Sequence, residues 1–135
     1  MSEAATSLIK GMYESFGRGD IDGVIAGLTP DIHWRVNGER SDYPLFGVWN
    51  GTAEVKQFFA GVAELEQFSE FSPNEFYAAG DRVFVLGRYA GKIAKTGRTF
   101  ASEFVHIFTM RGGKVCDFHE FNDSARFVAA GERGG

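Results

Sequence analysis

The chain has 135 residues, 44% of them apolar, with 14 phenylalanines and a single cysteine. That is one domain, 1–135, with enough apolar mass to bury a core unaided, which excludes disorder and any internal disulfide or paired-cysteine chemistry. A formal net charge of −4 argues against a nucleic-acid backbone or an anionic membrane as partner. No apolar run approaches a membrane span, and Met-Ser-Glu-Ala-Ala lacks the basic-then-apolar order of a signal peptide. The expectation is a soluble, cytoplasmic protein.

Helical spacing comes first. Residues 3–16 set Ala5, Leu8, Ile9, Met12, Tyr13 and Phe16 on one stripe, and Gly17-Arg-Gly19 ends the helix. Asp20 caps a shorter helix whose buried side is Ile21, Val24, Ile25 and Leu28, and Thr29-Pro30-Asp31 stops it. Ile32 to Val36 alternates as a strand that turns Ile32, Trp34 and Val36 one way and His33 the other, to the surface. A polar loop spans Asn37 to Asp42, and Tyr43 to Gly51 reads as a packed irregular segment. Thr52 caps a third helix with Phe58, Phe59 and Val62 on its stripe.

From Phe68 the period changes to two. Strands are predicted over Phe71–Tyr77, Asp81–Ile93, Phe100–Met110 and Lys114–Asn122, followed by an Asp123-capped terminal helix and a fraying Gly-Glu-Arg-Gly-Gly tail. Helices first and a strand meander afterwards give an α+β fold with helices on one face of a curved antiparallel sheet. Phe100–Met110 is apolar on both faces, so layers must cover both, one of them open to a second subunit.

Two hairpin turns set a register. Gly112-Gly113 suits a two-residue turn that needs positive φ at both positions, and Thr96-Gly97 suits a similar one. Carried along the strands, these turns place Arg88, Val105 and Glu120 in one row, with Glu103 on the same face. Phe84, Leu86, Ile107, Phe118 and Asn122 share that face. The opposite face shows Val83, Val85, Tyr89, Phe104, His106, Phe108, His119 and Phe121.

Several segments together resemble a known family. Phe16-Gly-Arg-Gly-Asp-Ile-Asp22, Asp31-Ile-His-Trp34, Phe46-Gly-Val-Trp-Asn-Gly51, Gly80-Asp-Arg-Val-Phe-Val85 and Gly113-Lys-Val115 leading to Glu120-Phe-Asn-Asp123 are similar in order and spacing to SnoaL-like and ketosteroid-isomerase-related proteins of the nuclear transport factor 2-like superfamily. The resemblance implies a cone, in which three N-terminal helices close a bent sheet around an internal pocket. It also implies a homodimer through the convex sheet face (Phe104, His106, Phe108, His119), with Glu103 turned inward. Steroid isomerases of this fold use a tyrosine, a basic aspartate and a protonated aspartic acid. Those positions fall on Met12, Val36 and Val105, so that mechanism is not expected here. Epoxide hydrolases of the fold use an Asp-Arg-Asp cluster, which Glu103, Arg88 and Glu120 resemble in composition.

The candidate catalytic residues are therefore Glu103 as base, Arg88 as its orienter and Glu120 as a second acid, in a pocket lined by Tyr13, Trp34, Val36, Val105, Phe118 and Asn122. The structural alternative is an ion triad that only satisfies itself. His106 and His119 are read as packing residues rather than metal ligands, since no other His or Cys stands at ligand spacing. Neither metal nor cofactor is implied. The expected partner is a small hydrophobic molecule, turned over by acid–base chemistry on a carbonyl or epoxide; the alternatives are a ligand-binding protein without turnover and a dimerisation module.

Overall fold

The structure, a computed structural model, describes residues 2–131. Four helices and six strands follow in the order α1 (Ser2–Gly17), α2 (Ile21–Ile25), β1 (Leu28–Val36), β2 (Gly47–Asn50), α3 (Gly51–Leu65), β3 (Glu66–Ala79), β4 (Arg82–Ile93), β5 (Thr99–Arg111), β6 (Lys114–Asn122) and α4 (Ser124–Gly131). Of the tail expected to fray, Gly131 still belongs to α4 and the rest lies outside the described residues. The strands form one curved, unclosed sheet in the order β2-β1-β6-β5-β4-β3. Every neighbouring pair is antiparallel except β1 and β6, which run parallel.

Local chemistry explains most boundaries. Asp20 accepts a hydrogen bond from the Gly23 amide at 3.0 Å, capping α2. At α3 the cap is Asn50 rather than Thr52, and Glu54 reaches back to accept from the Asn50 amide at 2.8 Å. The second helix ends at Ile25, short of the expected stop at Thr29-Pro30-Asp31, and β1 runs through those residues. The register slips between Leu28 and His33, and a proline inside such an irregularity costs no ladder hydrogen bond. The segment Tyr43 to Gly51 is packed as expected, with Tyr43, Leu45 and Phe46 buried, but its end pairs with β1 as the edge strand β2.

The aromatic face of β5 decides which side of the sheet becomes the interior. Phe100, Phe104, His106 and Phe108 are buried beside Tyr89 and Val85 of β4, under α1, α3 and α4. Ile9 and Met12, Val55 and Phe58, and Phe127 bring the apolar stripes of those three helices onto it. Aromatic side chains bury the most area, so turning them inward outweighs the smaller gain from Val105 and Ile107. The faces are therefore the reverse of the expectation. Glu103 looks out and His106 looks in.

Both turns differ in consequence from the simple reading. Gly112 and Gly113 (φ 59° and 82°) do make a two-residue turn, with Arg111 opposite Lys114 and Met110 opposite Val115. The next pair is Thr109 with Asp117, so Cys116 is an extra residue. That one-residue bulge inverts the side-chain parity of the rest of β6 relative to β5. Glu120 consequently faces His106 instead of lying beside Val105. At the other hairpin the Ile93 amide donates to the Arg98 carbonyl at 2.9 Å, closing a four-residue loop and moving Glu103 opposite Arg88.

Two glycines let the sheet bend. Gly87 and Gly91 of β4 sit beside irregularities in β3, between Pro73 and Glu75 and between Phe68 and Glu70. A methyl group on Gly91 would overlap the Gln67 carbonyl oxygen, and one on Gly87 would overlap that of Ser72. Both carbonyl oxygens belong to backbone, which cannot move aside cheaply. Gly91→Ala is thus expected to destabilise the fold by about 1–3 kcal/mol. Gly11→Ala, on α1 with open space around it, should instead stabilise by about 0.5–1 kcal/mol. Urea unfolding of the two variants measures the contrast.

Candidate active site

The inner sheet face and the helices enclose a cavity of about 90 Å³. Its walls are almost wholly aromatic and aliphatic, among them Phe16, Trp34, Phe59, Phe68, Phe71, Phe108 and Phe118. Into it point a few polar groups from four strands and one helix: Tyr13, Glu66, Tyr89, His106, Glu120 and Asn122.

Five of these make one continuous network. The Tyr13 hydroxyl lies 2.6 Å from His106 Nδ1, and His106 Nε2 lies 2.8 Å from Glu120 Oε1. Tyr89 donates to Glu120 Oε2 at 2.8 Å, and Asn122 Nδ2 donates to the same oxygen at 2.6 Å. Asn122 is itself held by Asn37, which accepts from its amide and donates to its carbonyl. The His106 ring is fixed by stacking on Phe104 at 4.1 Å and by the edge contact with Phe118 at 4.9 Å.

The protonation pattern follows from donor counting. Burial pushes the Glu120 carboxyl up, but the hydrogen bonds and charge of His106, with Asn122 and Tyr89, outweigh it and hold the group below its ordinary value. An ionised carboxylate only accepts, so Nε2 carries the proton that bridges it. In its uncharged form the imidazole offers its Nδ1 lone pair to the Tyr13 hydroxyl. Burial, reinforced by the Glu120 charge, pushes the Tyr13 phenol well up, so it stays an O–H. The result is a carboxylate–imidazole–hydroxyl chain ending at the cavity wall.

A second acid stands apart from this chain. Glu66, the first residue of β3, accepts from the Tyr43 hydroxyl at 2.6 Å. Burial pushes its carboxyl up to about 7, the Tyr43 hydrogen bond opposes, and the Glu120 charge adds to the rise. The cavity wall also holds two buried polar atoms without partners among the described residues, Trp34 Nε1 and Asn122 Oδ1.

The family model of the SnoaL-like domain matches residues 9–118. The chain belongs to this family. Solved structures agree. A nuclear transport factor 2-like protein from Burkholderia xenovorans is 31% identical, with 98% of each chain covered and a TM-score of 0.89. TerC, co-crystallised with polyporic acid, is 32% identical over 94% of this chain and 97% of its own, at a TM-score of 0.81. A structure from Xanthomonas campestris provisionally assigned as a polyketide cyclase shares the fold at 22% identity, covering 96% of this chain and 97% of its own, with a TM-score of 0.78. No curated protein matches the sequence.

In this SnoaL-like domain the residues singled out from sequence divide by face. Tyr13, Trp34, Val36, Phe118, Glu120 and Asn122 line the cavity. Glu103, Arg88 and Val105 lie on the convex side, so the Glu103–Arg88–Glu120 cluster does not form. Arg88 pairs with Glu70 at 3.1 Å, and both are exposed, an arrangement worth little. Phe104, His106 and Phe108 are interior and cannot face a convex partner; only His119 of that set lies outside, tilted against the Phe121 ring at 4.0 Å. His33 is exposed and 2.8 Å from Asn50. The place of His106 in the cavity network was missed because its pairing with Glu120 depends on the bulge. Glu66 carried no signal, since it falls where the helical period has ended and the strand period has not begun. Among the described residues no group of three potential ligands could hold a metal.

Glu66 gives a pH signature with a definite sign. Its folded pKa of about 7 lies above its ordinary 4.5. Between those values the folded state keeps a proton that the unfolded chain has released, so this group withdraws stability as pH rises through that window. Glu66→Gln carries no such proton. The stability of the variant relative to the native protein should rise by on the order of 3 kcal/mol between pH 4.5 and 8. Urea midpoints across the range test this, and a constant difference would contradict it.

Proposed function

We propose that this protein is a small-molecule enzyme that performs acid–base chemistry on a hydrophobic, carbonyl-bearing substrate inside the cone. The observation that carries the reading is the Tyr13–His106–Glu120 chain. A substrate C–H or O–H proton passes to the Tyr13 oxygen as the Tyr13 proton moves to His106 Nδ1. The imidazolium so formed stands 2.8 Å from a carboxylate already in place. A pair of unit charges about 4 Å apart at an effective dielectric of about 20 is worth on the order of 4 kcal/mol, enough to make the transfer accessible in a water-poor site. The proton then returns along the same chain to another position of the substrate. Membership of the SnoaL-like family and the 32% identity to TerC, which was co-crystallised with polyporic acid, support a small organic substrate. Epoxide hydrolysis loses its support, because among the described residues no arginine joins the acids in the cavity.

Size constrains the substrate's entry. At about 90 Å³ the cavity is smaller than the ~150 Å³ that accommodates benzene in an engineered apolar site. A one-ring ligand must therefore displace lining side chains, and the half-buried Phe16, Phe68 and Phe71 are the ones with room to move. A ligand-binding protein without turnover would share all of this except the proton chain's purpose. Exchange of the methyl protons of acetophenone in D₂O, followed by NMR, separates the two. The native protein should accelerate exchange, and Tyr13→Phe and His106→Ala should each reduce it by about 10²–10⁴-fold, with the double variant little worse than either. Catalysis unchanged in both variants would sink the reading.

A homodimer through the convex face is the second part of this proposal, with its contacts reassigned. Phe121 is 43% exposed there, and Leu86, Val105 and Ile107 are only half-buried. The Arg35–Asp117 ion pair on the same face leaves Arg35 Nε and Asp117 Oδ1 buried without partners among the described residues. A second copy of the chain would cover this band. Sedimentation should show a dimer that Val105→Asp with Phe121→Glu converts to a folded monomer; a native protein that sediments as a monomer at micromolar concentration would refute it.

A further inference from the structure

Glu66 is the one acid of the cavity that the proton chain does not use. Its backbone is fixed by pairing with Ile93, and the neighbouring Leu65 carbonyl accepts from the Ala94 amide at 2.9 Å. Tyr43, itself buried and packed between Phe46 and Phe127, donates to Glu66 Oε2. That leaves Oε1 without a protein partner among the described residues. Trp34, on the same cavity wall, has an indole N–H that is buried and unpartnered. Buried polar groups are normally satisfied, so the unpaired Trp34 N–H, on the same wall as a carboxyl oxygen with no protein partner among the described residues, points to a group not supplied by the protein.

We propose that Glu66, anchored by Tyr43, is a second ligand-recognising group of this cavity, whose free carboxyl O–H donates to the carbonyl oxygen of the substrate. The inference rests on the cavity being the substrate site, and it adds what that reading lacks, a donor for the oxygen on which charge develops when a proton leaves the neighbouring carbon. The titratable groups facing Glu66 are Tyr43 from the loop before β2, Tyr13 of α1, Tyr89 of β4, His106 of β5 and Glu120 of β6. Glu120 is held ionised by its three donors. Burial disfavours the charged form of Glu66 and the charge of Glu120 adds to this, so its carboxyl keeps its proton up to about pH 7. With Tyr43 donating to Oε2, that proton sits on Oε1 and is available to the ligand. In the reaction it forms the O–H of an enol while the Tyr13 oxygen takes the carbon-bound proton. Glu66 is left as carboxylate and Tyr13 has passed its own proton to His106. Reversal at a different carbon restores every group, with no outside reagent.

The test compares acetophenone with ethylbenzene, which has nearly the same shape and no acceptor. Binding is read by calorimetry on the intact protein. At pH 6 acetophenone should bind about 10-fold more tightly, a preference of one charge-free hydrogen bond. The preference should fade by pH 8.5 as Glu66 ionises. Glu66→Gln keeps a donor and should hold the preference constant with pH, whereas Glu66→Ala should lose it throughout. The native pH profile needs no variant and decides the matter if either fails to fold. Equal affinities at pH 6, with His106-dependent exchange intact, would overturn the role of Glu66 alone. Failure of both compounds to bind would overturn the cavity reading together with it.

Discussion

A carboxylate inside an apolar cone persists only if its charge is shared, and the interior of this protein is arranged around sharing the charge of Glu120. Three donors from three strands converge on it: His106 of β5, Tyr89 of β4 and Asn122 of β6. Each charge-assisted hydrogen bond contributes about 1.5–3 kcal/mol, against a desolvation penalty of several kcal/mol for an unpaired ion. Removing any one donor therefore unbalances the others. The network also ties the centre of the sheet to α1 through Tyr13, and to the loop after β1 through Asn37.

The same enclosure keeps two acids in opposite states. Glu120 is ionised because donors surround it, while Glu66 is pushed toward the neutral acid by burial, with the charge of Glu120 adding to the effect. Carboxyl groups separated in this way by their surroundings are the arrangement from which proton donor and proton acceptor can be drawn at one pH. Neither needs a strong intrinsic base. The aromatic walls supply the low dielectric that magnifies both effects. They also explain the small resting volume, because rings that exclude water from the polar groups fill most of the hollow.

Curvature is what brings these groups together. Gly87 and Gly91 allow β3 to approach β4 closely beside its two irregularities, so Glu66 at the start of the edge strand turns back toward the cavity. A flat sheet with the same pairing would leave the first residue of β3 far from β6. The convex side, by contrast, carries weak and exposed ion pairs such as Arg88–Glu70 around an apolar band.

Much of the fold was legible from local chemistry. Period 3.6 marked α1 and α3, period 2 marked β4, β5 and β6, and Gly112-Gly113 fixed a hairpin, because each depends on residues near one another in the chain. Tyr13, Trp34 and Val36 could be named for the same reason, since each lies on an apolar stripe of its own element, whereas Phe118 and Asn122, read as sharing the face of Glu103, turn inward only because the bulge at Cys116 reverses β6. Which face of β5 became the interior could not, because that is settled by how much aromatic area the helices can cover. The partner of Glu120 was equally out of reach: one extra residue at Cys116, with no glycine or proline to announce it, exchanges Val105 for His106 beside the acid. Sequence alone determined the elements and their apolar stripes, through short-range sterics and periodicity. Only the tertiary structure decided which polar side chains meet, because a single-residue slip in a strand reverses every side chain beyond it.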